Sequence, residues 1–564
     1  MSESTTNLGA AVPDQPGGAF APTGTAPLSS PGGRAVFTRQ ATGLVRLMGV
    51  RDTLLYNTMI TTIILGAALI FLDVPYAFPG ANIPLGLVIT GVLGTTMMIA
   101  YAMLGTAMPR SGGDYVFQSR LLHPAVGSGL LISGYVIWLA FWEVLGGWML
   151  ATMALAPFAS ALGIQHHVAW LASFGTWAGT PWGITWITLI AFAVSLIVLL
   201  RGTRLYRRIQ STLWALILLA FVLTWILLGA KGHAGFVTSF NSFAGHPGYY
   251  QTVITAAKAA GYGHSAFSWA ATFGVAPVAW TVLAWAMWSV LTAGELKDAR
   301  RLRSATTTIV GALWINVILI TVTAIVVFQV IGSTFLGSLA YLWFADPAKL
   351  GALPAAPYFG LLVAAVTTNP LLTVLLALGF VASAVQILIA MAWGGSRVIL
   401  ALSLDRVLPE SFSSVSPRLH APVRAIGFFF ALSVAWTFLY NLTTVSHYTL
   451  AVTLASILVY LGTMLAAIVF PYRAKAIYQA SPASAYKVFG IPLITVMGTI
   501  AFVFNAVMAG YFLVNDKLGV NSPGSEALIG GILVACVVYY YVRRAWLKHQ
   551  GYEPDLAFST IPPE

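Results

Sequence analysis

Between Thr53 and Val542 the chain repeats one pattern, an apolar run of about twenty residues, the length at which a helix crosses a bilayer. Twelve such spans are expected, near residues 53–72, 83–107, 125–161, 183–200, 209–229, 276–293, 305–332, 370–395, 422–440, 447–470, 490–514 and 525–542. In lipid every backbone polar group needs a partner inside the protein, which leaves helices as the available solution for such runs. The charge content agrees: 8% of residues are charged, against roughly 25% in soluble domains. The expected fold class is an all-α polytopic membrane protein with twelve transmembrane helices.

A formal net charge of +12 would ordinarily raise the question of nucleic acid. The placement of the charges answers it. All but Lys231, Lys258, Lys349 and Lys517 of the 28 Lys and Arg fall on one side of the expected spans, with Arg201, Arg204, Arg207 and Arg208 forming one loop cluster and Lys297, Arg300, Arg301 and Arg303 another. This asymmetry is a topology signal and predicts a multi-pass protein of the cell (cytoplasmic) membrane with both termini in the cytoplasm. Membrane lipids are then the expected surroundings, and nucleic acid is no partner. Residues 1–41 are rich in Ser, Thr, Pro and Gly and read as a disordered tail. Residues 42–545 form the membrane domain, and 546–564 a second short tail.

Two spans carry polar groups at unexpected depth. The run "GYVIWLAFWEVLGGW" (134–148) contains Glu143 near the middle of the long third helix. An ionised carboxylate facing lipid there costs about 2.5 kcal/mol or more, so Glu143 is expected to face the interior, to be neutral, or to be paired. The first span, "TLLYNTMITTIILGAALIFL", holds Asn57, Thr58, Thr61 and Thr62 in its first half. Their hydroxyls either bond back one turn or mark a locally opened helix whose backbone faces a cavity. Outside the spans, residues 230–275 and 333–369 are long enough for short capping helices. His166 and His167 read as a solvated loop, and Cys536, the single cysteine, as a packing residue. No metal site or cofactor is expected.

Three loop motifs point to a family. "MPRSGGDYVFQSRLLHP" (108–124), "GELKDARR" (294–301) and "SRVILALSLDRVLPESFSSVSPRLHAPVRAI" (396–426) resemble, in order and position, segments of the amino acid–polyamine–organocation transporters. The resemblance extends over roughly residues 42–545. It implies a five-plus-five inverted repeat, about 42–229 and 276–471, plus two extra helices at about 490–542, with helices 1 and 6 discontinuous and the substrate between their broken ends. A half-helix start suits a carboxylate and a half-helix end an ammonium. At the family's glycine places this chain has Asn57, Met59, Ile63 and Leu65 in span 1 and Met287 in span 6.

The candidate substrate-binding residues are therefore Asn57, Thr58, Met59, Thr61, Thr62, Glu143, Trp285, Met287 and Trp288. Glu143 is expected to face Thr61 and Thr62 and to accept a substrate amine or carry a coupled proton. The rings of Trp285 and Trp288 read as a cavity wall or lid, with lipid-facing or packing aromatics as the alternative. Ser383 is a candidate for a sodium site, because sodium-coupled relatives use a hydroxyl there; helix packing is the other reading. The spans lack paired carboxylates, a His–Glu spacing or a phosphate-binding loop, so no enzyme is expected. They also lack a repeated pore motif, which disfavours a channel. The expectation is a secondary active transporter of an amino acid or related amine, with an organic cation or polyamine carrier as the alternative. Its partners would be that small molecule and a coupling ion, H+ or Na+, in a monomer or homodimer.

Overall fold

The computed structural model describes residues 44–263, 266–351, 353–443, 445 and 451–559. The tail expected over 1–41 lies outside them. Among the described residues there are twelve helical spans, as expected: span 1 Val50–Ala77, span 2 Ile83–Ala107, span 3 Pro124–Gln165, span 4 Pro181–Leu200, span 5 Thr203–Phe243, span 6 Trp269–Leu291, span 7 Leu302–Ala345, span 8 Pro370–Leu404, span 9 Val423–Leu442, span 10 Ala451–Arg473, span 11 Leu493–Val514 and span 12 Pro523–His549. An even number of crossings brings both ends of the domain to one face, here called the terminus-bearing face.

Local sequence starts several of these helices. Spans 2, 4, 8 and 12 each begin with proline in the first turn behind a capping side chain, respectively Asn82, Thr180, Asn369 and Ser522. The cap accepts from an N–H of the first turn, and proline contributes a fixed φ where its missing N–H costs nothing.

Burial separates the centre from the rim. Span 6 is 100% buried over its most apolar window and span 1 is 89% buried, while spans 5 and 12 reach 28% and 22%. Apolar helices hidden from lipid on all sides form the middle of the bundle. Around them, span 2 packs along span 7, span 5 along span 8 and span 10 along span 11.

Several boundaries differ from expectation, each for a local reason. Span 3 is 42 residues long and absorbs its length through two π-helical turns, Ile132–Ile137 and Leu150–Leu155. Span 5 extends past its expected end at 229, kinked at Gly232 (φ 61°), a conformation glycine adopts without strain. Span 7 continues to Ala345 through a π turn at Phe328–Gly332. The two long connecting segments hold short helices at Tyr249–Ala259 and Phe359–Ala364. At the far end, span 12 runs through the expected boundary at 545. A further turn, Pro554–Phe558, folds back so that Asp555 meets Arg544 and Lys548 at 2.7 and 2.8 Å.

Candidate functional site

Span 1 is broken at its middle. One helix runs Val50–Met59, a second Ile63–Ala77, and between them Thr62 takes left-handed angles, φ 50° and ψ 41°. For a β-branched residue that conformation is strained, and such strain clusters at functional sites. Thr62 supplies no side-chain cap, so the N–H groups of Ile63, Ile64 and Leu65 start the second half-helix without a described acceptor. The threonine hydroxyls bond back as one reading expects, and the helix is also opened. Thr58 and Thr61 donate to the carbonyls of Leu54 and Thr58, each at 2.8 Å, beside an opened helix. All of Asn57, Thr58, Met59, Thr61 and Thr62 are buried.

Span 6 also changes geometry within its buried length. A regular helix at Val275–Leu283 tightens into a 3₁₀ segment over Ala284–Leu291. The interruption is thus a change of winding, not a gap. Trp285 Nε1 donates to the Thr281 carbonyl at 2.7 Å. Its ring stands edge-on to Trp142 of span 3 (5.6 Å between centroids), Trp288 (5.2 Å) and Tyr460 of span 10 (6.2 Å). Trp288 in turn meets Tyr135 at 5.1 Å. Met287 and both tryptophans are buried. Five rings from three spans therefore close on one another beside the break.

Other candidate residues are engaged elsewhere. The Asn57 amide donates to Ser289 Oγ (2.9 Å) and to the Thr308 carbonyl (3.1 Å), while its oxygen accepts the Ser289 N–H (2.8 Å). Tyr56 and Trp288 both donate to the Ala390 carbonyl of span 8, at 3.2 and 3.1 Å. Just beyond span 6, Glu295 Oε1 accepts from Arg397 (2.7 Å) and Trp393 (2.9 Å), both of span 8. The Glu295 carbonyl also receives the N–H groups of Leu47 and Met48 ahead of span 1. On the terminus-bearing side, spans 1 and 6 are thus closed against span 8.

Glu143 is fully buried, and neither oxygen has a described hydrogen-bond partner. Its place is fixed by its helix neighbours. A Cβ on Gly146 would meet Leu388 and Ile387 of span 8, one on Gly147 would meet Thr188 of span 4, and one on Gly395 of span 8 would meet Leu139. Residues three or four apart share a helix face. Glu143 therefore turns toward spans 8 and 4, about a quarter turn from Trp142, and the neighbours so defined do not belong to span 1. This departs from the expectation that it faces Thr61 and Thr62. Its place follows from the register of the span 3 helix, which commits Trp142 to span 6. Ser383 is buried in span 8 with no described partner for its hydroxyl.

A second intramembrane carboxylate escaped the sequence reading. Asp73 lies in the second half-helix of span 1, part-buried and without a described hydrogen bond or ion pair. The signal was the one that marked Glu143, a lone carboxylate in an apolar run.

The motif-bearing loops brace this closed face. Gly112 (φ 88°) donates its N–H to the Leu291 carbonyl, and a Cβ there would strike Ala401 of span 8. Arg120 pairs with Asp405 at 2.6 Å, and Tyr115 donates to the same carboxylate at 2.8 Å, joining the first and last motifs. Burial pushes the Asp114 carboxyl up to about 6, against hydrogen bonds from Thr463 and Tyr101 that pull it down. Among the described residues no group of three His, Cys, Asp or Glu could hold a metal.

Twelve membrane-length helices, with spans 1 and 6 both irregular where they are buried, define a multi-pass membrane protein. A family model described as amino acid permease matches residues 53–538, nearly the whole membrane domain. No curated protein matches the chain. The chain belongs to the amino acid permease family, whose members carry amino acids across membranes.

Proposed function

We propose that this permease is a secondary active transporter that moves an amino acid or related amine across the cell membrane by alternating access, coupled to protons. The observation that carries the reading is the uncapped helix start at Ile63–Leu65, three N–H groups in the buried middle of span 1, where a Cβ on Gly66 would meet Val282 of span 6. Such a start favours a carboxylate through its free donors and its dipole. The rings of Trp142, Trp285 and Trp288 form the apolar wall for the substrate's side chain. Glu143, without a counter-charge, carries the coupled proton from behind that wall. In this reading the terminus-bearing face is cytoplasmic.

An organic cation is the second reading, and Asp73 is what favours it. Asp73 and Glu143 are both intramembrane carboxylates with no described partner, and an ammonium would supply one to either. Purified protein in proteoliposomes separates these readings. Uptake of a neutral amino acid driven by an inward proton gradient supports the first; uptake of a diamine, abolished by Asp73→Asn, supports the second. Replacement of sodium by choline tests Ser383, because a sodium site there requires transport to fall.

A further inference from the structure

We propose that Asn57 is a positioning residue that welds the terminus-side halves of spans 1 and 6 into one block, and that the two side-chain donors flanking this weld close on span 8 at one shared acceptor, the Ala390 carbonyl oxygen. The inference rests on the transporter reading above but concerns the gate, not the solute.

The weld is visible in the bonding of Asn57. Its amide reaches a side chain and a main-chain N–H of the same residue, Ser289, and adds the Thr308 carbonyl of span 7. Two bonds to one residue fix orientation as well as distance. All three partners are buried, so loss of the amide leaves polar groups unmatched away from water. Asn57 stands at a place where the family resemblance implies a substrate-contacting glycine. Here its side chain has no donor left for a substrate.

The docking atom follows from two adjacent donors. Tyr56 precedes Asn57 and Trp288 precedes Ser289, so each side of the weld carries one donor, and both point at Ala390. The approach depends on Gly394, one turn further along span 8. A Cβ there would lie within bonding-forbidden distance of the Trp288 indole nitrogen. Below this point Glu295 repeats the contact with Arg397 and Trp393. Because the two donors sit on one welded block, they leave the carbonyl together. Opening of this face is then concerted, with the block as the moving unit.

Gly394→Ala tests the docking without removing any hydrogen-bonding group. Alanine favours a helix over glycine by roughly 1 kcal/mol, which offsets part of the cost of displacing the buried Trp288 ring. Tyr56→Phe and Trp288→Phe test the same contact without adding an atom. The Cys536→Ala background gives a cysteine-free chain, and a single cysteine at Ala286, buried in the span 6 tip, reports opening through its reaction with a polar maleimide. Gly394→Ala, Tyr56→Phe and Trp288→Phe are each expected to speed labelling from the terminus-bearing side roughly 2- to 10-fold, the equivalent of one hydrogen bond. They should also raise the half-saturating concentration for solute offered from the opposite side. In the Asn57→Ala background the Tyr56→Phe and Trp288→Phe effects should become additive, because the weld that couples them is gone. Unchanged labelling in Gly394→Ala, or the same coupling with and without Asn57, overturns the proposal. Labelling needs no solute, so faster labelling with no detectable transport would sink the transporter reading and leave the gate intact. A purely structural role would lower maximal rate with folded protein and leave labelling unmoved.

Discussion

Trp142 of span 3 and Trp285 of span 6 meet edge to face at 5.6 Å, and the next residue, Glu143, is turned about a quarter turn away. Adjacent positions on one helix thus divide two tasks, an aromatic wall toward the broken helices and a carboxylate toward spans 8 and 4.

Trp285→Ala removes three ring contacts at once. At about 1 to 1.5 kcal/mol, the half-saturating solute concentration should rise roughly 5- to 12-fold. Initial-rate uptake, normalised to folded protein, checks this. A loss of rate that merely tracks expression would make the ring structural.

Glu143→Gln keeps shape and removes the charge. Solute should still bind, as read by thermal shift, but accumulation driven by a proton gradient should fail. A variant that concentrates solute with the parent's pH dependence would remove Glu143 from coupling.

Thr62→Gly should relieve the left-handed backbone, which costs of order 1–3 kcal/mol in a non-glycine residue. Glycine's greater freedom when unfolded takes back part of that. The net expectation is a protein more stable than Thr62→Ala by roughly 1 kcal/mol, measured by thermal unfolding in detergent. Equal melting temperatures would mean that the strain is absent in solution.

Asp114 makes a signed pH prediction. Its folded value, about 6, lies above its ordinary 3.8, so its neutral form is the one the fold prefers. The stability it contributes is full below about 4 and is lost as pH rises through about 6. Asp114→Asn, neutral throughout, should flatten that part of the melting profile. A profile that keeps its slope in the variant would assign the titration to another group.

Asp405→Ala leaves the Arg120 guanidinium buried without its ion partner, which costs about 3–5 kcal/mol. The Arg120→Ala, Asp405→Ala double variant should lose less than the sum of the singles. Additive losses would show that the pair does not interact in the folded protein.

Apolar length made the twelve spans legible in sequence, because no other arrangement hides so many runs. The break in span 1 was also legible, since Asn57 and three threonines stand out in "YNTMITT". The bonds of Asn57 were not. Its partners lie 232 and 251 residues away, and residue type alone does not say which distant group an amide will meet. The Ala390 acceptor was invisible for a deeper reason: every residue carries the same carbonyl, so only the fold singles one out. Span ends were misjudged where π turns and Gly232 let helices outrun their apolar cores.

The break in span 1 falls on a β-branched residue, and that gives it the character of a detent. Glycine at such a point would swivel, sampling many angles at little cost. Thr62 has few conformations to choose from, so the two halves of span 1 keep a fixed mutual angle until something larger moves them. Motion is passed on to whole blocks of helices. A transporter built this way would switch between a few sharply defined shapes, and a solute would be released in steps.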